Sequence, residues 1–208
     1  MVDKTLSESA CSVGWGDYYE KTGQRPPRPT VMRALDAFDC VGLPEGAMAA
    51  DLGCGSGRDL VEIHRRGWPV QAIDASPEAI DCLLHLENSI PSAQIYPQLA
   101  RYEDMNLLPC DLINASFSLP LCPPENFSGV WQKILAALKA GGRFSGQLYG
   151  EHDSWFGREG MTFHTRTQID GLLSELEVEF LEEEEDDSVT PRGASKHWHI
   201  FHIVAKKL

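Results

Sequence analysis

Two aspartates frame a run of glycines. The stretch reads Ala49-Ala50-Asp51-Leu52-Gly53-Cys54-Gly55-Ser56-Gly57-Arg58-Asp59, and a second acid, Asp74, follows twenty-one residues after Gly53. Glycine tolerates a left-handed backbone and lets a ligand approach the main chain closely. A carboxylate at the mouth of such a loop suits a ligand with a positive end. A carboxylate about twenty residues further on stands where an acid accepts hydrogen bonds from ribose hydroxyls. Gly-Lys-Ser/Thr is absent, so the loop is not a phosphate-cradling P-loop. The third glycine comes one residue too early for the dinucleotide pattern G-x-G-x-x-G, which places a helix N-terminus on a pyrophosphate.

Such residues are useful only at the carboxyl edge of a sheet, and the flanking pattern predicts one. Ala47–Leu52 reads as a strand, Asp59–Arg66 as a helix and Val70–Ile73 as a second strand closed by Asp74. Ser76-Pro77 opens a helix, as an N-cap followed by proline at the first helical position. That helix runs to about residue 88. Strands follow at Ala93–Leu99 and Leu112–Phe117, then a helix over Glu125–Lys139 stopped by Gly141-Gly142, then a strand over Arg143–Leu148. Thr167-Gln168-Ile169-Asp170 reads as a capping box opening a short helix. Val178–Leu181 and His197–Ala205 read as two final strands. Alternating strands and helices imply a doubly wound α/β fold. We expect a mostly parallel seven-stranded sheet with helices on both faces and the last strand antiparallel. Residues 1–208 read as a single domain. Near its start, residues 17–30 form a proline-rich strap entering a helix at about Pro29, and residues 1–28 are a candidate lid.

Composition narrows the function. The chain has 208 residues and a net charge of −13. No basic footprint for nucleic acid or anionic lipid is present. No apolar run reaches the roughly 20 residues of a membrane span. The acidic N-terminus lacks a signal-peptide core, and six scattered cysteines without C-x-x-C read as reduced thiols. These features point to a cytoplasmic protein with no metal, and by themselves they name no substrate.

The loop Asp51-Leu52-Gly53-Cys54-Gly55-Ser56-Gly57, the segment Val70-Gln71-Ala72-Ile73-Asp74 and the later Leu138-Lys139-Ala140-Gly141-Gly142-Arg143-Phe144 resemble the class I S-adenosylmethionine-dependent methyltransferases. Gly57-Arg58-Asp59, Gly67-Trp68-Pro69-Val70 and the Tyr19…Arg25…Thr30 strap are similar to the tellurite-resistance methyltransferase group. That group usually has Asn after the Arg, whereas Asp59 stands here. The resemblance implies S-adenosyl-L-methionine as cofactor. It places the methionine part against Gly53, Gly55 and Gly57, with Asp51 near the ammonium. Asp74 would hold the ribose, Ala75 would pack on the adenine, and Glu103 or Asp104 would meet the adenine amino group. Asn114 to Ser116, at the end of the fourth strand, would face the reacting methyl.

Candidate acceptor-side residues are Tyr18, Tyr19, Arg25, Ser116 and His152. Trp15 and Trp155 are further candidates for the wall of the site. His197 and His199 share a strand face, with His202 on the other. They read as partly buried strand residues rather than a metal pair. The acidic run Glu182 to Asp187 reads as a solvated strand end and loop. A methyltransferase acting on a small, soft or anionic nucleophile fits best. A cofactor-binding protein without chemistry and a nucleotide-linked oxidoreductase are the alternatives.

Overall fold

The computed structural model describes residues 25–89, 94–190 and 193–208. Among the described residues the α-helices are α1 (Pro29–Asp39), α2 (Leu60–Arg65), α3 (Pro77–Ser89), α4 (Pro124–Ala137) and α5 (Arg166–Leu172). The strands are β1 (Ala49–Leu52), β2 (Val70–Asp74), β3 (Ile95–Leu99), β4 (Cys110–Ala115), β5 (Leu138–Gly150), β6 (Phe163–His164), β7 (Leu176–Val189) and β8 (Ser195–Lys207). They lie in the order β3-β2-β1-β4-β5-β8-β7, and the two-residue β6 pairs with β5 off that path. β1 to β5 are parallel, and β8 runs antiparallel to both β5 and β7. The expected seven-stranded doubly wound sheet with its last strand antiparallel is present, with β6 as an added bridge.

Helices cover both faces. On one face α1, α2 and α3 set Val31, Leu35, Phe38, Leu60, Ile63 and Leu83 against Ala49, Val70, Leu112 and Val204. On the other, α4 and α5 set Phe127, Trp131, Ile134 and Ile169 against Ile113, Phe144, Leu148 and Phe201. Trp131 meets Phe144 edge-on at 5.0 Å, and Phe38 meets Trp68 at 4.9 Å. Burying each such side chain contributes about 1.5–3 kcal/mol. These two layers hold β1 and β4 rigidly side by side, which fixes the loops at their carboxyl ends.

Local signals explain most boundaries. The Ser76 hydroxyl accepts the Ala79 amide at 3.3 Å as a cap for α3. Gly67, at φ +87°, terminates α2. Several boundaries differ from expectation, three of them for a clear physical reason. The capping box sits two residues earlier, where Thr165 and Gln168 exchange hydrogen bonds. Helix α4 stops at Ala137, and β5 begins at once. The register slips between Cys110↔Leu138 and Leu112↔Arg143, so the glycine pair lies in an irregular stretch of the strand. Gly142 cannot carry a side chain there, because a Cβ would stand 2.8 Å from the Lys139 carbonyl and 2.9 Å from that of Asp111.

The third difference is larger. The acids from Glu182 to Asp187 are strand, paired residue for residue with β8: Glu182↔His202, Glu183↔Phe201, Glu185↔His199 and Asp187↔His197. Imidazoles on β8 receive these carboxylates: His202 meets Glu184 at 2.7 Å and His197 meets Asp187 at 2.9 Å. Opposite-charge or hydrogen-bonding cross-strand pairs stabilise a sheet by roughly 0.2–1 kcal/mol each. That ladder offsets the poor strand propensity of glutamate and aspartate. Among the described residues, no helix is long and apolar enough to cross a membrane.

Candidate functional site

The glycine loop leaves β1 at the carboxyl edge. Gly53, Gly55 and Gly57 all have left-handed backbones, at φ +67°, +53° and +87°. At Gly53 the space is closed as well, since a Cβ would lie 2.4 Å from Ser118 Cβ and 2.8 Å from the Tyr102 hydroxyl. Ser118 and Tyr102 belong to the loops after β4 and β3, so three loops converge under the glycine turn.

Asp74 sits at the end of β2 and organises that turn. Its Oδ2 accepts the Gly55 amide at 2.9 Å and its Oδ1 accepts the Ser76 amide at 2.8 Å. Each carboxylate oxygen retains a further lone pair for an incoming hydroxyl. Burial raises the Asp74 pKa against these backbone hydrogen bonds. Ala75 beside it is exposed. Glu103 and Asp104 lie in the turn after β3, with Asp104 exposed and its amide bonded to the Arg101 carbonyl at 3.1 Å.

Asp51 lies behind the loop, almost wholly buried. Its pKa is pushed up to about 8, chiefly by burial and then by the nearby Asp59, against a hydrogen bond from Asn114. Asn114 is the hub of a buried network. Its amide group donates to Asp51 Oδ1 at 2.8 Å and Asp59 Oδ2 at 3.2 Å, and its Oδ1 accepts Ser145 at 2.8 Å and Ser116 at 3.2 Å. Sequence reading placed Asp51, Asn114 and Ser116 here and missed Asp59, Ser145 and Gln147. The β4–β5 register of Asn114 opposite Ser145 is the signal that would have found Ser145.

The end of the strap docks on this network. The Arg28 amide donates to Asp59 Oδ1 at 2.9 Å, and Arg58 Nε donates to the Pro26 carbonyl at 2.7 Å. Gln147 Nε2 donates to the Thr30 hydroxyl at 2.8 Å, and Gln147 Oε1 accepts the Phe117 amide at 3.1 Å. Phe117 has φ +56°, the single left-handed non-glycine among the described residues. A bulky side chain held there is strained, a feature that clusters at functional sites. The Arg28 guanidinium lies over its ring at 4.1 Å. Nothing in the sequence pattern marked Phe117.

Other expected residues fall elsewhere. Tyr18 and Tyr19, with Trp15, lie outside the described residues, and Arg25 is exposed at the start of the described strap. His152 is not gathered with Asn114 and Ser116. It sits in the turn after β5, bonded to Glu185 and stacked on His199, whose side chain is on the opposite face of the sheet from Gln147 and Asn114. Trp155 packs with Tyr149 and Trp198 around the Lys196 ammonium, which is itself paired with Asp153.

The arrangement is a backbone cradle between two carboxylates, with an amide hub and a strained aromatic at the next strand end. Known proteins share the fold that carries it. A family model described as a methyltransferase domain matches residues 49–142. TehB from Haemophilus influenzae shares 15% identity, with 92% of this chain and 66% of that chain covered and a TM-score of 0.74. The present chain therefore spans slightly under two thirds of TehB. Magnesium protoporphyrin IX methyltransferase from Synechocystis PCC 6803 with bound SAM shares 14% identity over 95% of this chain and 92% of that one, at a TM-score of 0.64. A Burkholderia thailandensis 1,6-didemethyltoxoflavin-N1-methyltransferase, bound to 1,6-didemethyltoxoflavin and S-adenosylhomocysteine, shares 17% over 92% and 81%, at 0.63. At these identities the likeness is one of fold. No curated protein sequence matches the chain.

Proposed function

We propose, for a chain whose residues 49–142 are a methyltransferase domain on the class I S-adenosylmethionine-dependent fold, that it methylates a small, soft or anionic acceptor. The observation that carries the reading is the left-handed Gly53-x-Gly55-x-Gly57 turn held between Asp51 and Asp74. These residues fit the cofactor. The turn, bare of side chains at Gly55 and Gly57, would admit its amino-acid end, the spare lone pairs of Asp74 suit ribose hydroxyls, and exposed Ala75 offers a flat apolar contact for the base. Glu103 and Asp104 would accept the adenine amino group. When bound, S-adenosylmethionine supplies a methyl group activated by a sulfonium.

The chain's own part is to bind, orient and exclude water. Asn114 and Ser116 would face the acceptor, and the Arg28–Phe117 stack sets a cation beside them. A guanidinium there suits an anion such as a thiolate or a chalcogen oxyanion. The strap end at Pro26 and Arg28, docked on Asp59 and Arg58, would close over them. A small acceptor fits that closure, and magnesium protoporphyrin IX and 1,6-didemethyltoxoflavin are the small molecules named for two proteins of the same fold.

The acceptor class is tested by incubating the chain with S-adenosylmethionine and a panel of thiols, selenium and tellurium oxyanions, alcohols and amines, while measuring S-adenosylhomocysteine formed. Turnover with thiols or oxyanions is expected. Turnover confined to alcohols or amines overturns the acceptor class, and cofactor binding with no turnover across the panel overturns the enzymatic reading.

Asp51 gives a separate prediction. A carboxyl with its folded pKa raised to about 8 contributes stability in its protonated form that is fully present below its usual value near 4. That contribution is lost as the pH rises through 8. An ammonium seated beside it would favour the ionised form and expel the proton. Calorimetric titration with S-adenosylhomocysteine at pH 7, in two buffers of different ionisation enthalpy, should report release of about one proton per cofactor. Heats that do not depend on the buffer would remove Asp51 from the ammonium site.

A further inference from the structure

At the far end of the β7–β8 hairpin, two imidazoles and a carboxylate meet on one face of the sheet. One ring nitrogen each of His152 and His199 and a Glu185 carboxylate oxygen lie within 4.8 Å of one another. Glu185 stands directly opposite His199 in the strand register, and His152 arrives from the turn that follows β5. His152 is bonded to Glu185, the two rings stack at 4.8 Å with planes 24° apart, and His199 Nδ1 lies 3.8 Å from the same carboxylate.

The orientation of His199 is set from behind. Its Nε2 meets Glu183 Oε1 at 3.0 Å, while its Nδ1 accepts the His152 backbone amide at 3.1 Å. An Nδ1 that accepts leaves the proton on Nε2, so Nε2–H donates to Glu183. A carboxylate holding the far nitrogen of a buried imidazole is the outer arrangement found behind metal-bound histidines. His199 is almost wholly buried, and at Gly150 a Cβ would lie 2.1 Å from its Nδ1. The main chain has thus made room for this ring. His152 and Glu185 are exposed, so an ion has access from solvent.

We propose that His152, His199 and Glu185 bind a divalent transition-metal ion of the zinc class, with Glu183 as the positioning residue behind His199. Two nitrogens and one carboxylate suit zinc and its neighbours, whereas calcium and magnesium prefer all-oxygen sites. Tetrahedral zinc holds its ligand atoms at about 2.0–2.1 Å from the ion, hence about 3.3 Å apart. Reaching that spacing takes a small swing of the exposed His152 side chain and release of its amide from His199 Nδ1. Three protein ligands leave one position for water or an exogenous ligand. The ion pins the β5 exit to the hairpin, next to the buried Lys196–Asp153 pair. His197, two residues before His199, is not among the residues whose ligand atoms converge here.

The full chain, stripped with chelator, is titrated with zinc and separately with cobalt(II). One ion per chain with a dissociation constant of about 1 μM or below is expected, together with a rise in melting temperature. His152→Ala and Glu185→Gln, both at exposed positions, should weaken binding at least about a hundredfold. Glu183→Gln should weaken it about 10–100-fold, and His197→Ala should leave it within threefold. Absence of a tight ion overturns the proposal. So does unchanged, wild-type affinity in His152→Ala and Glu185→Gln, or a thiolate-to-cobalt charge-transfer band, which would assign the ion to the cysteines.

Discussion

Gly55→Val is expected to abolish binding of S-adenosylhomocysteine, by at least about a hundredfold, while far-UV circular dichroism and the melting transition remain those of a folded sheet. Gly55 holds φ at +53°. A β-branched residue is a genuine outlier there, and the left-handed region costs even ordinary L-residues about 1–2 kcal/mol. The turn would relax toward negative φ. Relaxation would pull the Gly55 amide from Asp74 Oδ2 and swing two methyl groups over the surface on which the cofactor's amino-acid end is proposed to lie. The hydrophobic layers that fold the domain do not pass through this residue, so the loss should fall on binding. Normal affinity in a folded Gly55→Val variant would show that the ligand does not approach this turn.

Asp74→Ala is expected to weaken cofactor binding about thirtyfold, or about 2 kcal/mol, from the loss of charge-assisted bonds to the ribose. The structure adds a second consequence. The same carboxylate receives the Gly55 and Ser76 amides, so its removal frees the turn as well. The thirtyfold figure is therefore a lower bound, and Asp74→Glu, whose longer side chain displaces both amides, should not restore affinity. Calorimetry on the two variants reads this directly. Unchanged affinity in Asp74→Ala would take the residue out of the ribose site.

The parts legible in the sequence are those governed by local rules. Glycines that need positive φ, a serine cap before Pro77 and apolar runs between them are written in consecutive residues, and they carried the loop, β1, β2 and α3 to their places. What escaped depends on partners distant in the chain. Glu182 to Asp187 form a strand because histidines ten to twenty residues later stand opposite them, and acidic residues alone do not signal a strand. Asp59 enters the site through Asn114, fifty-five residues away, and through the Arg28 amide, thirty-one residues before it. Phe117 is left-handed because Gln147 holds its amide and Arg28 its ring. His152 was placed toward the acceptor by its position after β5. Its pairing with Glu185 and His199 instead follows from the β7–β8 register, which a single strand's pattern does not reveal.

The central claim is that the Gly53–Gly57 turn, with Asp51 and Asp74, is the cofactor site. A crystal structure of the chain with S-adenosylhomocysteine tests it most directly. The account predicts the amino-acid end along Gly53 to Gly57, both ribose hydroxyls on Asp74, the base against Ala75, and the sulfur turned toward Asn114 and Ser116. Cofactor bound elsewhere, or at this turn with the ribose away from Asp74, would contradict it.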